Sequence, residues 1–246
     1  MTDDIGKEFV RKTAHPLLSP PGESTGGPQP PLELPVPEAV TRIRLPNPKM
    51  LEANPVDLYG ALERRRSVRE YVAQPMTLLE LSFLLWATQG VREVTDRPAT
   101  SRPVPSAGAR HAFETYLLIN RVGDLKPGVY RYVALEHALV EEDMKAATAA
   151  GVASSCRNSK PLCEASAATF LWVAVAERMT WKYSERGIRF LHLDAGHVCQ
   201  NLYLAADVID CGVCAIGGFN DEEINPLLGL DGEELFVIYM ATVGKK

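Results

Sequence analysis

The order of patterns in this 246-residue chain predicts an α+β fold. Helical and strand signatures follow one another without the regular βαβ alternation of a doubly wound sheet. From Ile188 the apolar positions Leu191, Ala195, Val198, Leu202 and Ala205 recur at steps of three and four, the stripe of one long helix running to about Asp207. Short runs rich in Val, Ile, Leu and Tyr supply the strands. With 46% hydrophobic and 23% charged residues the chain can build a sizeable core.

In chain order, the first stretch to stand out is not a core element. Eight of the 18 prolines lie between Pro16 and Pro37, interleaved with Gly22, Gly26, Gly27, Ser19 and Ser24. Such a composition neither holds a helix nor buries a core, so residues 1–47 read as an arm or linker and 48–246 as one compact body. Asn54 followed by Pro55 predicts an N-cap and first position for a helix that carries Leu58, Ala61 and Leu62 and ends in Arg64, Arg65 and Arg66. Thr77 and Glu80 form a capping box before an apolar helix from Leu78 to Gln89, with Gly90 as its closing residue. Strands are predicted over Thr115 to Val122, Val129 to Val133 and, centrally, Ala168 to Ala176. After the long helix come a strand from Gly212 to Ile216, a small helix capped by Asn220, and a last strand from Leu235 to Val243.

Charge and motifs exclude whole classes. A net charge of −5 leaves no general basic surface for nucleic acid. No apolar run approaches the roughly 18–20 residues that cross a bilayer, and MTDDIGKEFV lacks the basic and then apolar regions of a signal peptide, so no membrane partner and a cytoplasmic location are expected. The five cysteines read as reduced, and Cys211 and Cys214, although spaced C-x-x-C, as structural thiols. His192 and His197 lie five apart, the wrong spacing for ligation from one helix face, and read as core or interface residues; no metal site is expected. His15, His111 and His137 show no partner, and Asp221, Glu222 and Glu223 complement a helix dipole. No dinucleotide-binding G-x-G-x-x-G, P-loop, H-E-x-x-H or G-x-S-x-G motif is present.

Four features carry chemistry, each with a plain structural alternative. In Arg64-Arg65-Arg66-Ser67-Val68-Arg69, guanidiniums and a hydroxyl suit a phosphate, or the arginines only complement a helix C-terminus. Pro103 to Arg110 is a loop of small residues that lets backbone approach a flat ligand, or an ordinary proline turn. In Ala215-Ile216-Gly217-Gly218-Phe219-Asn220, backbone N–H groups face a ligand, or the glycines only turn the chain. Trp181-Lys182-Tyr183 is a base and its relay, or a surface lysine beside a packed aromatic.

Taken jointly, RRSVREY, LLWATQG, RPVPSAGARHAFETYLLIN, PGVYRY, GHVCQNLYLAAD, AIGGFND and FVIYMATVG, in this order from about Val56 to Gly244, resemble the nitroreductase superfamily, most of all its SagB-type, thiazole/oxazole-dehydrogenase-like branch. The resemblance implies a central, mostly antiparallel sheet flanked by helices, a homodimer with two flavin sites at its interface, and FMN as cofactor. By position it implies that Arg65, Arg66, Ser67 and Arg69 hold the phosphate and ribityl chain. Pro105, Ser106, Ala107 and Gly108 would line the ring from the partner subunit, Ile216, Gly217 and Gly218 would lie beside it, and Lys245 would reach the phosphate. Lys182 and Tyr183 resemble the Lys-Tyr pair that takes a proton in azoline dehydrogenases.

The leading expectation is an FMN-dependent oxidoreductase exchanging two electrons by a ping-pong scheme between a donor such as NAD(P)H and a small organic acceptor. The alternatives are a dehydrogenase acting on azoline rings of a peptide and a flavin-binding or interaction module without turnover, whose proline arm contacts a partner.

Overall fold

The computed structural model describes residues 4–52 and 57–246. The predicted cap Asn54-Pro55 lies outside the described residues. The chain begins with helix α1 (Ile5–Lys12), a four-residue helical turn α2 (Gly22–Thr25) and a two-residue strand β1 (Ile43–Arg44). Helices α3 (Leu58–Arg64) and α4 (Leu78–Gln89) precede a small hairpin, β2 (Glu93–Thr95) with β3 (Ala99–Ser101). Strands β4 (Phe113–Ile119), β5 (Gly128–Val133) and β6 (Ala138–Asp143) follow, then helices α5 (Ala146–Ser155) and α6 (Lys160–Ala165). Strand β7 (Ala168–Val175) leads into helices α7 (Ala176–Tyr183) and α8 (Gly187–Val208), and β8 (Cys211–Ile216), α9 (Asp221–Leu227) and β9 (Leu235–Lys245) complete the chain.

Among the described residues one seven-stranded sheet runs β1-β6-β5-β4-β7-β9-β8, with every neighbouring pair antiparallel. Its middle strands β4 and β7 are buried along their whole length because both faces are covered. Leu117 and Ile119 pack on the side of α4 and α8, whereas Tyr116 and Leu118 pack on the side of α5 and α9, the two-residue alternation of a strand. The predicted apolar stripe of α8 is its buried face: Leu191, Ala195, Val198, Leu202 and Ala205 all point into the core. The capping box of α4 forms as expected, Glu80 N–H donating to Thr77 Oγ1 and Thr77 N–H to the Glu80 carboxylate. Asn220 caps α9.

Several expectations change. Asp57 caps α3, its carboxylate accepting from Tyr59 and Gly60 N–H. Gly90 ends α4 in an extended conformation (φ −61°, ψ 139°) and not a left-handed one, its N–H donating to Trp86 carbonyl. The expected central strand does form, as β7, paired on both sides by β4 and β9. The Ala-rich stretch that forms α5 and the short α6 have too weak a pattern for sequence reasoning, which also passed over β6. His137 is paired after all, between Ser82 Oγ (2.8 Å) and Tyr132 Oη (2.7 Å). His192 and His197 lie on the exposed face of α8, outside the core of the chain, while Cys211 and Cys214 are buried free thiols.

The arm departs furthest from its expected character. Despite its composition it contains α1 and the turn α2, and residues assigned to it join the body: Ile43 and Arg44 pair with β6, and Leu45 is a core residue. A buried ionic cluster holds the segment before them. Glu114 on β4 binds Arg178 on α7 (2.6 Å) and faces Arg131 on β5 (3.6 Å), all nearly solvent-free. Leu34 N–H donates to Glu114 (2.8 Å), Arg131 donates to the carbonyls of Leu34 and Pro35, and Arg178 to that of Pro31. Proline-rich backbone has few N–H donors but intact carbonyls, so guanidiniums are the natural partners for it. Replacing Glu114 by Gln leaves the buried Arg178 guanidinium without a carboxylate, while Arg131 keeps its pair with Glu142 (2.7 Å). Denaturant unfolding should show a loss of about 3–5 kcal/mol, and limited proteolysis should cut residues 16–40 faster than in the parent.

Candidate functional site

The arginine motif follows α3 and lies against the edge of the sheet. Val68 N–H donates to Val213 carbonyl and Val72 N–H to Lys245 carbonyl, so the segment runs along β8 and the end of β9. Two glycines make room for it. Gly212 and Gly244 are opposite each other across β8 and β9; a Cβ on Gly212 would stand 2.6 Å from Val68, and one on Gly244 2.7 Å from Tyr71. Tyr203, on α8, ties the pieces together: its hydroxyl meets Ser67 Oγ (3.1 Å) and accepts from Ala215 N–H (2.9 Å), and the Arg65 guanidinium lies 5.4 Å from its ring centre.

Arg64 is committed to Asp207 (2.6 Å), whereas among the described residues Arg65, Arg66 and Arg69 form no ion pair. Arg65 and Arg66 border a cleft of about 110 Å³ with Gly212 as part of its wall, and Arg66, Ser67 and Arg69 border a wider one of about 770 Å³. Lys245, expected among them, points the other way, donating to Glu80 (2.5 Å) and to Ile209 carbonyl (2.9 Å). Lys246, which pairs with Asp207 (3.4 Å) and Asp210 (3.5 Å), lines both clefts. Adjacent residues at a strand end face opposite sides, so a shift of one position decides which lysine enters. Three cations without carboxylate partners, a hydroxyl and a cleft form a donor set that fits a phosphate ester. Gly217 and Gly218, beyond β8, are exposed, with nothing within 4 Å of a Cβ placed on Gly218. Ile216 beside them is buried.

A second cluster gathers the loop and the Lys-Tyr pair. Gly108 has φ +57°, a left-handed conformation, and a Cβ there would stand 2.5 Å from Tyr183 Oη and 2.7 Å from Lys182 Cδ. Glycine therefore permits the contact twice over. The loop is anchored from α8 by Asp194, which accepts from Ala107 N–H (3.2 Å), and internally by Ser106 Oγ, which accepts from His111 N–H (2.9 Å). Pro105 is exposed beside them. Burial raises the Asp194 carboxyl above the usual carboxylate range even though Ser106 and Ala107 hydrogen-bond it. Lys182 Nζ binds both oxygens of Glu23 in α2 (2.7 and 2.8 Å), and Arg97 reaches the same carboxylate (3.0 Å). The Lys182 hydrogen bond holds the Glu23 carboxyl below its usual range, and burial pushes the Tyr183 phenol up, so Tyr183 keeps its proton at neutral pH.

The two clusters touch different parts of α8. Asp194 holds the loop and Tyr203 the arginine segment, nine residues apart and hence about 13 Å along the helix axis. Sequence reasoning missed Tyr203, Asp194, Glu23 and Lys246. Asp194 sits on the buried face of a helix otherwise lined by apolar residues, the one signal that marked it; Glu23 carried none.

The nitroreductase family profile matches residues 62–245. The chain belongs to the nitroreductase family. A protein of Methanocaldococcus jannaschii named as a nitroreductase is 35% identical over 195 residues, covering 78% of this chain and 92% of that one. The trifolitoxin-processing protein TfxB of Rhizobium leguminosarum bv. trifolii is 28% identical over 163 residues, 63% of this chain and 42% of that one. A nitroreductase crystal structure from Anabaena variabilis superposes with a TM-score of 0.64 at 29% identity, covering 77% of this chain and 38% of the other. No helix among the described residues is long and apolar enough to cross a membrane, and no cluster of metal-ligating side chains occurs among them.

Burial, with Arg102 and Arg110 nearby, drives the His111 imidazole down to about 3 from 6.5. A depressed histidine contributes stability that is fully present above its unfolded value and lost as the pH falls towards its folded one. Stability should therefore fall on acidification from about pH 6.5, before most carboxylates titrate. His111→Asn, which tolerates the local positive φ, should flatten the pH 6.5 to 5 part of that curve in denaturant melts.

Proposed function

We propose that this nitroreductase-family chain is an FMN-dependent oxidoreductase that exchanges two electrons, by a ping-pong scheme, between a donor such as NAD(P)H and a small organic acceptor. The observation that carries the proposal is the set of Arg65, Arg66 and Arg69 guanidiniums, without ion pairs among the described residues, gathered with Ser67 at clefts on the β8 edge. These groups, with Lys246 beside them, would hold the phosphate and ribityl chain, and Ile216, Gly217 and Gly218 would present backbone to the ring. Bound there, FMN would supply the hydride chemistry. A homodimer would bring the second cluster to the first: Pro105, Ser106, Ala107 and Gly108 of one protomer would close the site of its partner.

Lys182 and Tyr183 fit this reading as proton donors. Tyr183 retains its hydroxyl proton through burial, and Lys182 is an ammonium paired with an ionised carboxylate. Both can deliver a proton to an acceptor as it is reduced, and neither stands ready to remove one.

A second reading, azoline oxidation in a peptide, draws on the contact of the Lys-Tyr pair with Gly108 and on the likeness to the trifolitoxin-processing protein. It requires Lys182 to leave Glu23 and lose a proton before acting. Lys182→Ala should then abolish peptide oxidation with flavin content intact; unchanged turnover removes the assignment. A module without turnover is the remaining alternative.

The purified protein should show a flavin spectrum, with FMN near one per chain after extraction and chromatography. Arg66→Gln should weaken FMN binding about ten-fold or more, the scale of a lost charge-assisted contact. Steady-state lines at varied donor and acceptor should be parallel; an intersecting pattern with every donor tried removes the ping-pong scheme, and absence of flavin even after incubation with excess FMN removes the enzyme reading.

A further inference from the structure

A cavity of about 400 Å³ separates the arm from the body beside the Lys-Tyr pair, a size suited to a small organic ligand. Leu18, Pro20 and Pro21 of the arm form its roof, and Tyr183, Arg186 and Phe190 of the body its floor. The roof is fastened along its length. Ser19 donates to the Glu185 carboxylate through N–H (3.1 Å) and Oγ (2.5 Å), and its carbonyl accepts from Ser184 Oγ (2.6 Å). Arg186 donates to Thr13 carbonyl (3.0 Å) at one end, while at the other Glu23 holds Lys182 and Trp181 Nε1 donates to Gly27 carbonyl (3.0 Å). These contacts come from both sides of the cavity, so its roof is a held segment and not a passing one.

We propose that this cavity binds a small aromatic carboxylate. Proline rings and a leucine face the Tyr183 and Phe190 rings, whose centroids lie 4.7 Å apart edge to face, and such walls favour a flat apolar body. The charged lining is of one sign: Lys182 and Arg186 border the space, and no Asp or Glu does among the described residues. Arg186 spends one N–H on Thr13, and its other donors have no protein partner among the described residues, which leaves its planar fork for a carboxylate. Lys182 already binds Glu23, so Arg186 selects the anion and Lys182 with Tyr183 faces the ring. Because that pair packs on Gly108, a bound aromatic acid would lie beside the loop assigned above to the flavin site. Its role as electron acceptor rests on the function proposed above; its binding does not.

Calorimetric titration of the full-length protein with benzoate and with benzamide, its neutral counterpart of equal shape, tests the inference without any turnover. Benzoate should bind one to one and about ten-fold more tightly than benzamide, the scale of one charge-assisted pair. Arg186→Gln should bring benzoate to the level of benzamide. Leu18→Trp, which leaves every charge in place and fills the space, should weaken both. Circular dichroism melts of the two variants check that each is folded, and either alone suffices to read the result. Equal affinity for the two compounds, no heat with benzoate, or benzoate binding untouched by a folded variant overturns the proposal. Benzoate binding by a protein that takes up no FMN would remove the oxidoreductase reading and keep the cavity; a flavoprotein with turnover that ignores benzoate would do the reverse.

Discussion

The interaction on which the rest depends is the buried carboxylate of Glu114. A charge in a middle strand of a doubly covered sheet is costly unless it is matched, and here Arg178 and Arg131 match it from the flanking elements. The same three side chains satisfy the backbone of Pro31, Leu34 and Pro35, and with Glu142 on Arg131 balancing the second guanidinium, one cluster both compensates its charge and attaches the arm. Everything upstream follows from that attachment. With residues 31–35 fixed on the sheet, the chain before them is held close enough for Glu23 to meet Lys182 and for Leu18, Pro20 and Pro21 to cover Phe190.

Helix α8 is the second organising element, because it addresses both clusters. Its buried stripe anchors it to the sheet, while Asp194 and Tyr203, at the margins of that stripe, hold the small-residue loop and the arginine segment. A rigid helix keeps these two about 13 Å apart. The glycines Gly212 and Gly244 have a related part: by lacking side chains at opposed positions they let the arginine segment lie on the sheet edge, where Arg65 and Arg66 border a cleft whose one carboxylate, Asp207, is held by Arg64.

Polarity distinguishes the two clusters chemically. The edge cluster is cationic and open, the chemistry of an anchor for a phosphate. The loop cluster pairs its lysine with an arm carboxylate and keeps its phenol protonated, the chemistry of proton delivery. An arm that supplies the counter-ion of Lys182 and the roof over Tyr183 belongs to this cluster, although its composition reads as linker.

By itself the sequence determined what depends on near neighbours. The capping box at Thr77 and Glu80, the stripe of α8, the cap at Asn220 and the β-rich runs all state their structure within a few residues, because helix and strand periods and end-group hydrogen bonds are local. The ordered motifs were enough to indicate the family. Tertiary structure alone decided the addition of Ile43–Arg44 to the sheet, the choice of Lys246 over Lys245 at the cleft, and the pairing of Glu23 with Lys182 across 159 positions. Edge pairing, strand-end parity and long-range ion pairs depend on which distant surfaces meet, and a linear pattern carries no period that records it.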